Sequence, residues 1–391
     1  MKWAFGKRFL RLGINSIRFA AVPVLTKIQF EDAKREIYYT SCGIQGYRPY
    51  MEDYTAVKLD FCDSPGYHFF AVLDGHVDYR VAQYCSKNLP QFLEKKLGSL
   101  IKSDASAEEI SSEIERAYLE FDREIRASGL RSGSTCSSVL MTPKNFIFAN
   151  VGDSRTLLVD ESSELKFSTE DHKPMDTEER KRIYETGGFV RYNRVNGNLA
   201  LSRAFGDFDL KPNSEGTWPS RRYHDLFQPV IAAPTCTIIP REESDSLLVL
   251  GSDGVFDVLT SAEAAKYAHF EASVFGKNEE VAWRMVDTSF SRGSMDNITA
   301  LVVFLKDKEY KMPEYVARND KARKLIESTI EEIFASSKTP ATTKEAVQIW
   351  QQILSKLESE KALHDILPPG AGLSSQLSLI RSIFSAKLNL K

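Results

Sequence analysis

The sequence predicts an α+β fold in which packed β-sheets are sheathed by helices, followed by a helical C-terminal extension. Three observations lead there. Short apolar runs rich in β-branched and aromatic residues recur from Tyr38 to about Phe304, each bounded by Gly, Asp, Asn or Pro. Stretches with helical spacing and acidic starts lie between them. Beyond residue 306 the strand-like runs stop and helical spacing alone continues.

Taken in order, strands are expected at "YHFFAVL", "SSVLMT", "NFIFANVG", "TLLVD", "DSLLVLGSD" and "NITALVVFL". Several are apolar without a break, which suits strands covered on both faces. "RVAQYCSKNLPQFLEKKL" and "SAEEISSEIERAYLEFDREIRAS" supply helices to cover them. In the extension, Leu325, Ile326, Ile330, Ile333 and Phe334 form one apolar stripe, and Val347, Trp350, Ile353, Leu354 and Leu357 a second. Leu373, Leu377, Ile380, Phe384 and Leu388 form a third, after the breaker "LPPGAG". These helices are expected to pack on the preceding domain or on themselves; binding a partner protein is the other use of such stripes. The organisation is therefore a basic segment at 1–37, a domain at 38–306 and a helical extension at 307–391.

Composition narrows the class. The 391 residues are 42% hydrophobic and 27% charged, enough for a sizeable core. A net charge of −3, with no basic stripe carrying interleaved aromatics, argues against nucleic acid as a partner. Five scattered cysteines (Cys42, Cys62, Cys85, Cys136, Cys236) without a C-x-x-C pair point to a reducing compartment, not to a disulfide frame or a zinc site. No apolar run reaches the roughly 18–20 residues of a membrane span. The first 30 residues carry Lys2, Lys7, Arg8, Arg11, Arg18 and Lys27, and no acid precedes Glu31. That pattern reads as a mitochondrial transit peptide leading to the matrix. An amphipathic helix on the folded domain or on a membrane surface, in a cytoplasmic protein, is the alternative. A monomer is expected.

The apolar run Phe69–Leu73 ends in Asp74-Gly75-His76 and opens straight into a helix, and these are poor packing residues. Acids recur at the ends of other apolar runs: Glu52 and Asp53 in "GYRPYMEDYTAV", Asp153 in "FANVGDSR", Asp253 after "LLVLGS", and Asp296 in "RGSMDNITALVV". Any one alone would read as a turn or helix cap. Carboxylates crowded at the rim of a core raise one another's pKa, and hard divalent cations such as magnesium or manganese relieve that repulsion.

The motifs occur in a telling order. "GYRPYMED", "VLDGH", "SGSTCSSVLM", "NVGDSR", "DHKPMDTEERKRIYETGGFV", "RVNGNLALSRAFGDFDLK", "LGSDGVFDVL" and "RGSMDNITALVV" together resemble the metal-dependent protein serine/threonine phosphatases of the PPM family, the type 2C protein phosphatases, from about Tyr38 to Leu305. The resemblance implies a central β-sandwich of two antiparallel sheets flanked by helices on both faces, a four-layer αββα arrangement. It also implies two magnesium or manganese ions at one end and phosphorylated proteins as substrates. Asp74 would bridge both metals, with the Gly75 carbonyl completing one, while Asp253 and Asp296 bind the other. Glu52 and Asp53 match acids that act mostly through water on the metals, and Asp153 an acid linked to a weaker third ion. Arg48 matches the arginine that grips phosphate, and His76 the histidine proposed as general acid. The chemistry suits them: an arginine fork holds two phosphate oxygens, and an alkoxide leaves more readily with a proton from a near-neutral acid.

Two stretches depart from the family pattern. Asp-Gly-His is followed by Val77-Asp78 where the family usually has Gly-Gly. Valine is strained at positive φ, so the local backbone is expected to differ there, and Asp78 reads as a helix-start acid or else as a contact to the metals or to their ligands. The variable flap holds "PNSEGTWPSRRYHDLFQPV", whose Trp218, Arg221, Arg222 and Tyr223 suit a phosphorylated peptide, or else a solvated loop. The altered Val77-Asp78 leaves a second functional reading: a pseudophosphatase that binds phosphoproteins without turnover.

Overall fold

The structure, a computed structural model, describes residues 23, 28–32, 37–211, 225–337, 340 and 342–389. Two antiparallel sheets form its centre. One, seven-stranded, runs Phe205–Gly206, Gly133–Ser134, His68–His76, Cys136–Met141, Asn145–Val151 and Thr235–Pro240, with Asp53–Lys58 also paired to His68–His76. The other, six-stranded, runs Ile28–Asp32, Tyr38–Ile44, Ile298–Phe304, Asp245–Gly251, Arg155–Asp160 and Leu165–Ser168.

The unbroken apolar runs are explained by burial on both faces. Phe70 and Val72 point between the sheets, beside Phe148, Leu248, Leu250, Leu301 and Val303. Their neighbours Phe69, Ala71 and Leu73 point the opposite way, toward Leu89, Leu93 and Phe121 of two helices, α1 (Arg80–Lys102) and α2 (Ala107–Ala127). Residues alternate across a strand, so a period of two that is apolar on both phases requires two covers. In the second sheet, Leu247, Val249, Val302 and Phe304 face the helices Ser261–Phe275 and Glu280–Ser291. The order helix, sheet, sheet, helix is the expected four-layer arrangement.

Helix starts follow local chemistry. Ser106 accepts from the Glu109 N–H while the Glu109 carboxylate accepts from the Ser106 N–H, a reciprocal cap that opens α2 where the acids begin. The strand Ile28–Asp32 was not expected; it lies within the basic segment assigned to 1–37 and forms an edge by pairing with Tyr38–Ile44. Edge pairing is made by backbone groups and needs no apolar run to announce it.

Beyond residue 312 the helices Pro313–Ser336, Thr343–Ser359 and Leu377–Asn389 enclose a core of their own, built on Ile326, Ile330, Ile353, Leu357, Ile380 and Phe384. The bundle also docks on the second sheet's helices. Arg318 lies over the Phe270 ring, 5.4 Å from its centroid, and Ser378 Oγ donates to Asp287 Oδ1 at 2.5 Å. Tyr310, which the domain boundary at 306 assigns to the extension, belongs to the sheet's outer core: it is 3% exposed and its hydroxyl donates to the Ser246 carbonyl at 2.7 Å. No described helix is long and apolar enough to cross a membrane.

Candidate active site

The acids gather where the two sheets meet at one end. Asp53 and Asp74 are direct cross-strand partners of the first sheet. Asp253 opens the short helix Asp253–Phe256 one residue after the strand Asp245–Gly251, and Asp296 lies one residue before Ile298–Phe304 of the same sheet, with Asn297 between. Each therefore hangs on a rigid strand end, as the sequence implied.

Neutral partners fix these positions. The Asp74 N–H donates to Thr135 Oγ1 at 3.0 Å, and the Thr135 N–H returns a bond to the Asp74 carbonyl at 2.9 Å. Ser252 Oγ donates to Asp53 Oδ2 at 2.7 Å and accepts the Thr299 N–H, tying an acid of one sheet to the backbone of the other. Asn297 makes a similar tie. Its Oδ1 accepts the Glu52 N–H at 2.7 Å while its Nδ2 donates to the carbonyls of Gln45 and Tyr50. Gly75 donates to the Glu52 carbonyl, and a Cβ at Gly75 would stand 2.7 Å from that same oxygen, so only glycine permits the approach.

The electrostatics report the convergence directly. Burial pushes the Asp74 carboxyl well above the usual range, and Asp253, Asp53, Asp296 and Asp153 push it further. Asp253 is raised in the same way, first by burial and then by Asp153 and Asp296. Burial lifts Asp53 to about 7. Cations reach only the margins: Arg48 Nη2 donates to Asp296 Oδ2, and Lys173 Nζ to Asp153 Oδ2. Arg48, expected to grip phosphate, is thus held on a carboxylate, and its Nε is buried without a partner.

Among the described residues, no group of three or more His, Cys, Asp or Glu side chains stands arranged to hold a metal ion. The donors nevertheless fit a hard divalent cation. Asp53 Oδ1 and Asp253 Oδ1 are buried with no hydrogen-bond partner, and every acid concerned supplies oxygen alone. Magnesium in particular is commonly held by one or two carboxylates and keeps several waters, so an incomplete protein shell is what it uses.

His76 stands beside this cluster. Its Nε2 lies 2.7 Å from Asp207 Oδ2. Burial would lower the imidazole's pKa, and the facing Asp207 carboxylate, together with Asp153 and Glu52, outweighs it, leaving the net shift upward. Val77 keeps the left-handed region at φ 72° and is 83% exposed, so the backbone did not move away as expected and the valine bears the strain. Asp78 serves the start of α1, accepting the Arg80 N–H at 2.8 Å and holding the Arg80 guanidinium, which lowers its pKa to about 2. Trp218, Arg221, Arg222 and Tyr223 lie outside the described residues.

Asp207, Asn297, Ser252, Thr135 and Lys173 were not singled out from the sequence. Asp207 does lie within the quoted "RAFGDFDLK", and Lys173 within "DHKPMD". His172 of the latter is structural: it accepts the Gly152 N–H at Nδ1, faces Thr235 Oγ1 at 2.9 Å, and is pushed by burial down to about 3.

A sandwich of this kind, with a carboxylate cluster and a histidine at one end, is the arrangement that the resemblance to the metal-dependent phosphatases implies. The family described as protein phosphatase 2C matches residues 37–298. Protein phosphatase 1B of Homo sapiens is 33% identical over 382 residues, covering 94% of this chain and 76% of that protein. Protein phosphatase 1A of Bos taurus is 31% identical, covering 94% of each. Among solved structures, a phosphatase from Toxoplasma gondii superposes with a TM-score of 0.61 at 26% identity, covering 73% of this chain and 97% of its own. The chain belongs to the protein phosphatase 2C family, the metal-dependent protein serine/threonine phosphatases.

Proposed function

We propose that the chain hydrolyses phosphoserine and phosphothreonine in proteins with water as the nucleophile, at the cluster formed by Asp74, Asp253, Asp296, Asp53 and Glu52. The observation that carries this is that Asp53 and Asp253, beside Asp74, each bury an oxygen with no hydrogen-bond partner, while the cations Arg48 and Lys173 pair with Asp296 and Asp153. Two magnesium or manganese ions would be held by Asp74, the Gly75 carbonyl, Asp253 and Asp296, and a weaker third at Asp153. Bound there, they would acidify water and neutralise phosphate charge.

The chain's own groups do the rest. The Arg48 guanidinium, half-buried beside Asp296, would grip the phosphate oxygens. His76 hands a proton to the departing seryl or threonyl oxygen, which is a poor leaving group without one. Asp53 is buried and Glu52, Asp74, Asp253 and Asp296 are half-buried, so their charge is felt more strongly than in open water. Titrating the metal-stripped protein with manganese by calorimetry tests the site: at least two binding events are expected, and Asp74→Asn should weaken both. Unchanged binding in that variant would remove Asp74 from the ligand set.

The basic segment supports a mitochondrial matrix address, drawn by an inward-negative potential that favours cations without acids. Residues 1–35 fused to a fluorescent reporter should enter mitochondria. A reporter that stays diffuse in the cytosol would argue against the address.

A further inference from the structure

His76 is held by a carboxylate remote in sequence, and the loop bearing that carboxylate is built to hold it there. Asp207 lies 131 positions from His76, with its carboxylate 8% exposed and 2.7 Å from Nε2. It adopts φ 51°, in the left-handed region, and its N–H donates to the Ser132 carbonyl at 3.1 Å. Gly206 before it pairs with Gly133 and donates to Asp122 Oδ1 at 2.8 Å. Asp122 Oδ2 in turn accepts from Lys211 Nζ at 2.7 Å, and the same ammonium donates to the Ala204 carbonyl at 2.7 Å. Lys211 is 1% exposed. A buried ion pair is costly and no stronger for the fold than an apolar pair of like volume. Here it clamps positions 204, 206 and 211 around Asp207, which gives the expense a purpose.

Gly133 supplies the remaining condition. A Cβ there would stand 2.1 Å from His76 Nε2 and 2.2 Å from Asp207 Oδ2. Only glycine leaves room for the two side chains to meet.

We propose that Asp207 is the positioning residue of His76: its carboxylate accepts a hydrogen bond from Nε2–H, fixes the ring, and leaves Nδ1 as the nitrogen that serves the substrate. This rests on the reading of His76 as proton donor. A carboxylate on one imidazole nitrogen selects the tautomer and orientation in which the other nitrogen works. As the phosphorus–oxygen bond to the seryl or threonyl side chain breaks, its electron pair stays on that oxygen, which takes the Nδ1 proton. A water oxygen makes the new bond to phosphorus, and the proton that water gives up restores the imidazolium. Without Asp207 the ring, at the end of a strand and before a strained Val77, is no longer held against rotation.

The experiment compares a phosphoserine peptide with p-nitrophenyl phosphate, whose aryl oxide leaves without a proton, at saturating manganese. Asp207→Asn is the first variant, because asparagine tolerates the left-handed backbone. The expected result is a fall of about 10- to 100-fold in the ratio of kcat on peptide to kcat on aryl phosphate, with little change in peptide KM. His76→Ala should show the same selective loss, and the double variant should be no worse than His76→Ala alone. Gly133→Ala, which wedges the pair apart while keeping both members, should follow Asp207→Asn. An unchanged ratio in Asp207→Asn and Gly133→Ala, beside a selective loss in His76→Ala, overturns the positioning role alone. Equal losses on both substrates in His76→Ala overturn the proton-donor reading beneath it. Losses in Asp207→Asn that fall equally on both substrates, or that add to those of His76→Ala, assign Asp207 to the fold and overturn the proposal.

Discussion

Val77 is where single-residue physics is most exposed. A β-branched side chain at φ 72° costs about 1–3 kcal/mol, and its 83% exposure means that packing returns almost none of it. Glycine would lose that strain but gain unfolded-state freedom, so Val77→Gly is expected to stabilise the protein by about 1 kcal/mol. Urea unfolding measures it, and a lowered midpoint would contradict the strain. The position also shows what a sequence can disclose at this scale. Asp74, Asp253 and Asp296 could be read because each sits where an apolar run stops. Asp207 and Asn297 could not, since their roles are defined by partners 131 and 245 residues away.

At the scale of elements, long two-sided strands and capped helices were legible. The pairs Gly133–Ser134 and Phe205–Gly206 were not, because two residues cannot display a period. Yet it is these short pairs that bring Gly133 and Asp207 to His76. The helix Ser261–Phe275 makes a different demand. It opens on a reciprocal Thr260–Glu263 cap, then buries Glu271, whose carboxyl burial lifts from 4.5 to about 7 against the pull of Arg284. A carboxyl whose folded pKa is raised contributes its stability in full below about 4.5, loses it between there and about 7, and imposes a constant penalty above. Glu271→Gln should therefore raise the thermal midpoint at pH 8 by an amount worth on the order of 2 kcal/mol, and much less at pH 4.5. Equal gains at both pH values would show that Glu271 is not titrating in this window.

At the scale of the molecule, the four layers followed from strands too apolar to face water, while the edge of the domain did not. Tyr310 packs edge-on to Phe304 with ring centroids 4.9 Å apart, so the sheet's outer core reaches past residue 306. A chain ending at 306 should unfold about 5 °C or more below one ending at 312, because a buried aromatic and its hydrogen bond are lost. Matching midpoints would place Tyr310 outside the core. The extension closes its own core from the three stripes, apart from Leu354 and the exposed Val347, and its effect on turnover should be small beside that of the acids. Those acids are brought together only by the meeting of two sheets, with Asp53 and Asp74 from one, Asp253 and Asp296 from the other, and Ser252 joining them. The claim that this junction is a divalent-cation site for phosphate ester hydrolysis is tested most directly by phosphate release from a phosphoserine peptide across a manganese titration, for the wild type and for Asp253→Asn. Removing one charged oxygen ligand should cut turnover at saturating manganese by about 100-fold or more while the far-ultraviolet spectrum stays unchanged. Near wild-type turnover in Asp253→Asn would contradict the account.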